Sequence, residues 1–197
     1  GIVTKAILSL LPMPKAKASA LAAFTSITDA ANTVKDIVAA GVITATLEFV
    51  DNVTLNAIED YLKIGLDRTI GAMLLIEVDG YEGAVKAESE IINKVCLKNN
   101  CIDFKLATSE EERESLWSAR RAALSSLARV RPSTILEDAT VPRSRIVELV
   151  EAVNSISKKY DLQIGTFGHA GDGNLHPTIL TDLRDKNQEL KVEKAIE

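Results

Sequence analysis

Residues Gly165–Leu180 read G-T-F-G-H-A-G-D-G-N-L-H-P-T-I-L, and they hold both histidines of the chain, His169 and His176, with four of its ten glycines. Apolar and β-branched residues flank a central Asp172-Gly173 pair, and Asp and Gly accept the positive φ that a two-residue hairpin turn requires. Counting outward from that turn sets Gly171 opposite Asn174, Ala170 opposite Leu175 and His169 opposite His176. Opposed residues of an antiparallel pair have Cβ atoms roughly 4.5–5.5 Å apart, close enough for two imidazoles to share a metal ion. The glycines are expected to leave the space above the pair open, since strands seldom carry Gly unless a bulge, a sharp bend or the close approach of a ligand requires it. The plainer reading is a glycine-rich hairpin with two exposed histidines, and two ligands do not complete a metal site.

The remaining chain has the pattern of an antiparallel sheet with helices. An apolar run at Ala6–Leu11 ends at Pro12 and predicts a strand, and Ala18–Thr25 is a second run able to pair with it. Helical spacing over Ile27–Ala40 stops at Gly41, a strand follows at Ala45–Val50, and Asp51 and Asn52 are cap residues for a helix through Leu62. Further strands are predicted at Gly71–Val78, Cys101–Thr108 and Thr134–Val141. Helices are predicted at Glu82–Lys98, from Ser109 to about Arg129, at Ser144–Lys159 and at Asp182–Glu197. Ser109 with Glu112 is a capping box. The order β-α-β recurs, which points to an α+β fold: two ferredoxin-like halves, about 1–90 and 91–197, sharing one antiparallel sheet covered by helices on one face.

Composition narrows the function classes. The chain has 197 residues, 46% apolar and 26% charged, with net charge −5. Mild acidity gives no nucleic-acid footprint. No run of about 18 apolar residues suggests a membrane span, and the start has no signal-peptide pattern. Cys96 and Cys101 are not spaced as a metal knuckle or disulfide framework, so a cytoplasmic setting is expected. The chain opens without Met and stops within a helical pattern, so it is expected to be a piece of a longer polypeptide.

One helix carries a misplaced charge. Leu116, Arg120, Ala123, Leu124 and Leu127 share a stripe, so Arg120 lies among inward residues and needs a carboxylate partner. Its planar fork suits Glu137 or Asp138 within the protein, or the carboxylate of a substrate.

These residues together resemble a known family. Gly168–His176, G-H-A-G-D-G-N-L-H, is similar to the signature of the C-terminal domain of FAD-linked oxidases, the family of glycolate oxidase, D-lactate dehydrogenases and D-2-hydroxyglutarate dehydrogenase. Gly1–Thr4 resembles the last strand of that family's flavin domain, Leu47–Asp51 its L-E-x-x-D segment, Leu116–Arg121 its L-W-x-x-R-R helix, and Glu137–Pro142 its E-D-x-x-V-P strand.

The resemblance implies a substrate domain that caps FAD held mainly by an N-terminal flavin domain. In this reading His169 and His176 hold a divalent metal (zinc, iron or manganese), Arg120 clamps the carboxylate of a small 2-hydroxy acid, and Asn174 and Thr178 line the substrate site. Electron-transfer subunits, a homo-oligomer and peripheral attachment to a membrane through partner subunits are compatible with it; nucleic acid is not a partner.

The family's third metal ligand and catalytic base lie in an E-H-G segment, a tripeptide that does not occur in this sequence, so the chain alone is expected to be inactive and to bind metal weakly. Leu136 and Thr178 replace the Lys and Asn of some hydroxyglutarate-type relatives, which argues for glycolate or lactate over a dicarboxylate. Competing readings are a stand-alone ferredoxin-like metal- or ligand-binding module and a structural subunit-assembly domain.

Overall fold

A computed structural model describes residues 1–10 and 12–196. Its centre is one antiparallel sheet, built first from β1 (Ala16–Phe24), β2 (Thr46–Asp51), β3 (Ala72–Gly80) and β4 (Asp103–Leu106). Helices α1 (Ile27–Ala39), α2 (Asn52–Leu62) and α3 (Glu82–Lys98) connect these strands. After β4 come α4 (Glu110–Arg121), α5 (Ala123–Leu127), β5 (Ser133–Leu136), β6 (Ala139–Thr140), α6 (Ile146–Tyr160), β7 (Gln163–His169), β8 (Asn174–Thr181) and α7 (Lys186–Ile196).

Among the described residues the sheet runs β4-β1-β3-β2-β7-β8-β5, with β6 also on β8. The first four strands have the ferredoxin-like arrangement, β1 and β3 central with β4 and β2 outside. The second unit repeats it with β5, β8 and β7 in the places of β1, β3 and β2. The two units join through β2 and β7, paired at Phe49↔Gly168 and Val50↔Phe167.

Local chemistry sets the element starts. Ser26 accepts from Asp29 N at the head of α1, Asp51 from Thr54 N at α2, and Ser109 from Glu112 N at α4. Each cap satisfies a backbone donor that the first helical turn leaves open. At the far end of α1, Gly41 takes φ +78°, as the sequence suggests.

Three expectations change. The strand at Ala6–Leu11 does not form over residues 6–10, because β1 already bonds β3 on one side and β4 on the other; Leu11 lies outside the described residues, as does Glu197 at the end of the last predicted helix. The helix from Ser109 divides at Ala122 into α4 and α5. Helices also cover both faces of the sheet, not one. Leu47, Phe49, Leu74, Ile76 and Val78 pack with α1, α3 and α6, whereas Val50, Met73 and Phe167 pack with α2, α4 and α5. Strand alternation explains this: both sides of β2 and β3 are apolar, so both must be covered.

On the second face the apolar cover ends part-way along the strands. Beyond Val50 and Met73 stand buried Glu48 on β2 and buried Glu77 on β3. Helix α4 buries only Ala119 and lies over this polar end.

Candidate functional site

The loop of the histidine ribbon differs from a two-residue turn. Its last strand pair is His169↔Asn174, followed by Gly168↔Leu175 and Phe167↔His176, with a short 3-10 turn over Ala170–Asp172. Ala170 is fully buried in the main core and its carbonyl accepts from Gly173 N at 3.0 Å, so the four-residue loop is pinned inward. Gly173 has φ +75°, and a Cβ there would meet the Val141 carbonyl oxygen at 2.1 Å. A Cβ at Gly168 would meet Asn174 O at 2.8 Å and His176 Cδ2 at 3.1 Å. These glycines therefore permit close backbone packing rather than leaving open space, which corrects the sequence reading.

The histidines nevertheless share a face. A register shift of two residues preserves side-chain orientation, so His169 and His176 become diagonal neighbours. Their ring centroids are 5.6 Å apart and their planes meet at 88°. Two imidazoles on one tetrahedral zinc, with bonds of about 2.0–2.1 Å, have centroids roughly 5 Å apart, so this spacing suits a shared ion.

Arg120 reaches the same place from α4. Its Nε donates to Glu48 Oε2 at 2.6 Å, and its guanidinium lies 5.1 Å from the Phe167 ring centroid. The partner of this inward arginine is thus Glu48, neither Glu137 nor Asp138. The other Glu48 oxygen, Oε1, is 2.6 Å from His169 Nδ1. The Glu48 side chain is 4% exposed, Arg120 14% and His169 50%, so a buried carboxylate stands behind two groups that reach toward solvent.

His176 lies between Phe167, at 5.4 Å, and His169. Asp138 Oδ1 approaches its Nδ1 to 3.2 Å, but off the direction of a ring N–H bond, so the contact is electrostatic and this buried Nδ1 keeps no hydrogen bond. Burial pushes the His176 pKa below its ordinary value, the charges of His169 and Arg120 add to this, and Asp138 opposes it.

Asn174 begins β8 beside His169, and its buried Oδ1 has no partner. Thr178 is fully buried opposite Leu136, and its hydroxyl donates to the His176 carbonyl at 3.1 Å. It acts on the ribbon rather than facing open space.

An open cavity of about 680 Å³ adjoins the site, lined by Glu48, Trp117, His169, Arg143 and residues 41–47 among others. Arg120 and His176 do not line it; of the three side chains only His169 does, together with its partner Glu48. Trp117 donates to Glu77 at 3.3 Å one helical turn before Arg120 contacts Glu48. Helix α4 is therefore attached to the sheet through two buried carboxylates. An acidic residue in the apolar segment of β2 carried the same signal as Arg120, an inward charge in need of a partner, yet Glu48 was not assigned from sequence.

Among the described residues no group of three or more His, Cys, Asp or Glu is placed to hold a metal on its own. Two adjoining imidazoles are two potential metal ligands, and the buried His176 Nδ1 and Asn174 Oδ1 beside them make no hydrogen bond. A bound ligand or solvent would supply the remaining positions.

One face of an antiparallel double ferredoxin-like sheet thus carries paired histidines beside a helix-borne arginine. Residues 13–197 match the family model for FAD linked oxidases, C-terminal domain, and the chain belongs to that family. It is 54% identical to glycolate oxidase subunit GlcD of Bacillus subtilis over 99% of this chain and 42% of that protein. It is 36% identical to GlcD of Escherichia coli K12 over 98% of this chain and 39% of that one. A probable mitochondrial D-lactate dehydrogenase of Danio rerio is 30% identical over the whole chain and 40% of its own length. The chain thus spans about two fifths of these relatives. Among solved structures, p-cresol methylhydroxylase with substrate bound superposes with a TM-score of 0.65 at 12% identity, over 94% of this chain and 42% of that one. That likeness concerns the fold. No helix among the described residues is long and apolar enough to cross a membrane.

Proposed function

We propose that the chain is the substrate- and metal-binding cap of a flavin-dependent 2-hydroxy-acid dehydrogenase or oxidase that converts glycolate or D-lactate to the 2-oxo acid. The observation that carries this reading is the 5.6 Å approach of His169 and His176 on one sheet face, beside an arginine anchored by Glu48. FAD, held mainly by a flavin domain outside this chain, supplies the hydride acceptor, and a divalent cation supplies the charge that acidifies the substrate hydroxyl.

The chain's own residues bind and orient. His169 and His176 present imidazole nitrogens to a cation, and burial, which holds the His176 pKa below its ordinary value, favours the neutral form of that ring. Arg120 uses Nε on Glu48, which leaves the outer N–H groups of its guanidinium for a substrate carboxylate. Asn174 stands at the head of β8 beside His169 and lines the substrate site, with its Oδ1 buried and without a hydrogen bond in this structure. Leu136, opposite Thr178 on β5, brings no charge to the site, which suits a monocarboxylate with a short side chain. Thr178 supports the site through the His176 carbonyl. These 197 residues by themselves are expected to turn over no substrate, because the hydride acceptor and the proton acceptor both lie outside them.

The test is flavin reduction by glycolate and by D-lactate in the full-length protein. Substituting either histidine by Ala, or removing metal with a chelator, is expected to lower kcat/KM at least a hundredfold, and Arg120→Met to raise KM strongly. Wild-type rates in both histidine variants would overturn the reading.

A further inference from the structure

The side chains that meet at Glu48 carry one more assignment. Its carboxylate is a two-sided acceptor: Oε1 lies 2.6 Å from His169 Nδ1 and Oε2 lies 2.6 Å from Arg120 Nε. At 4% exposure it is screened from water, and β2 holds it rigidly, with Phe49 paired to Leu74 on one side and to Gly168 on the other. An ionised carboxylate has only acceptor sites, so both facing nitrogens must donate. For Arg120 that is always true.

For His169 it selects one tautomer. A proton on Nδ1 leaves Nε2 with its lone pair, and the ring that carries it is half-exposed and lines the 680 Å³ cavity. His176 has no such support, since its Nδ1 forms no hydrogen bond. We propose that Glu48 is the positioning residue of the site: one buried carboxylate fixes the His169 tautomer with Nε2 free and turns the outer edge of the Arg120 guanidinium toward the ligand. This rests on the reading of His169 as a metal-binding group, and it adds that the metal-binding and carboxylate-binding functions are oriented by the same side chain.

The chemistry of the alternatives makes the assignment sharp. Glu48→Gln has nearly the shape of the wild type but offers one acceptor and one donor. If its NH₂ faces His169, Nδ1 must accept and the ring proton moves to Nε2, which blocks the metal lone pair. If its NH₂ faces Arg120, two donors meet and the guanidinium is displaced. Either way one of the two functions is lost, whereas a merely space-filling Glu48 would be replaced by Gln at little cost.

The experiment is ¹⁵N NMR of histidine-labelled, metal-free protein above pH 8, together with manganese, zinc and glycolate titrations of wild type, Glu48→Gln and Glu48→Asp. The expected wild-type spectrum has His169 protonated at Nδ1. Glu48→Gln is expected to show the Nε2–H form or a mixture, and to bind metal 10–100-fold more weakly with an unchanged fold. Glu48→Asp, which keeps both acceptors, should recover the Nδ1–H signature. His169 protonated at Nε2 in the wild type, or a Glu48→Gln variant whose tautomer, metal affinity and glycolate affinity are all unchanged, would overturn the proposal, and the first of these needs no folded variant. Because the tautomer is read without metal, failure of the metal reading itself is distinguishable: His176→Ala would then leave metal titrations unchanged while the Glu48 signature persists.

Discussion

His176 sits two residues further from the loop than the partner position of His169, and the two rings still meet edge to face at 5.6 Å. The site depends on the shared face of β7 and β8, not on direct opposition across the ribbon. What secures that face is the loop, where Val141 N donates to Gly173 O at 2.9 Å and the Val141 carbonyl occupies the space a side chain would need.

Gly173→Ala is therefore expected to destabilise the protein by about 1–3 kcal/mol, through positive-φ strain and collision with Val141. The displaced loop should also weaken metal binding. Urea unfolding beside a metal titration checks both, and an unchanged midpoint would show that the loop shifts without cost.

Arg120 and Glu48 form a buried pair, and removing one partner leaves the other charge without compensation. Arg120→Ala should cost about 3–5 kcal/mol, while the double replacement Arg120→Met with Glu48→Leu should regain most of that loss. The double variant would remain unable to bind a carboxylate ligand. Denaturant midpoints of Arg120→Met, Glu48→Leu and the double variant give the coupling directly.

Asp51 caps α2 through Thr54 N and also accepts Thr166 N at 2.8 Å, tying β2 to β7. Burial pushes its pKa up from 3.8 to about 6 despite these bonds. A carboxyl that holds its proton more tightly when folded favours the native state at low pH. Its contribution is complete below about pH 4 and declines as pH rises to 6, by about 3 kcal/mol. Comparing stability at pH 4 and pH 6.5 for wild type and Asp51→Asn measures it; the variant should lack the decline.

His176 acts with the opposite sign. Its folded pKa lies below the ordinary 6.5, so the folded state binds the proton less well and stability is lost as pH falls through that region. Metal affinity should fall over the same range, because protons compete for the imidazole. Manganese titrations from pH 8 to pH 5.5 follow this, and a flat profile would exclude His176 as a ligand.

Trp117 is the chain's one tryptophan, and it lines the cavity beside His169 while donating to Glu77. Copper or cobalt bound at the histidines is expected to quench its fluorescence, and His176→Ala to remove the quenching. Trp117→Phe should cost no more than about 1 kcal/mol, because Glu77 still accepts from Ser19 Oγ at 2.7 Å and lies 3.6 Å from the Lys17 ammonium.

Much of the architecture was legible. Helix α3 begins at Glu82 and ends at Lys98 as its apolar spacing requires, and the Ser109 capping box marks the head of α4. Arg120 announced itself as an inward charge. Its partner could not be read, because Glu48 lies 72 positions earlier and meets it only when β2 and α4 cross on the second sheet face. The strand expected from Ala6 failed over residues 6–10 for a similar reason, since an apolar run becomes a strand only if a sheet edge is free to take it.

The sequence by itself determined the residue types of the site, the elements that bear them and the family to which the chain belongs, because periodicity, caps and motif spacing are local properties. Tertiary structure decided the ribbon register, the covering of both faces and the placing of Glu48 behind His169 and Arg120. Those depend on which strands become neighbours and on how closely backbones such as Gly173 and Val141 can approach, and no local pattern encodes either.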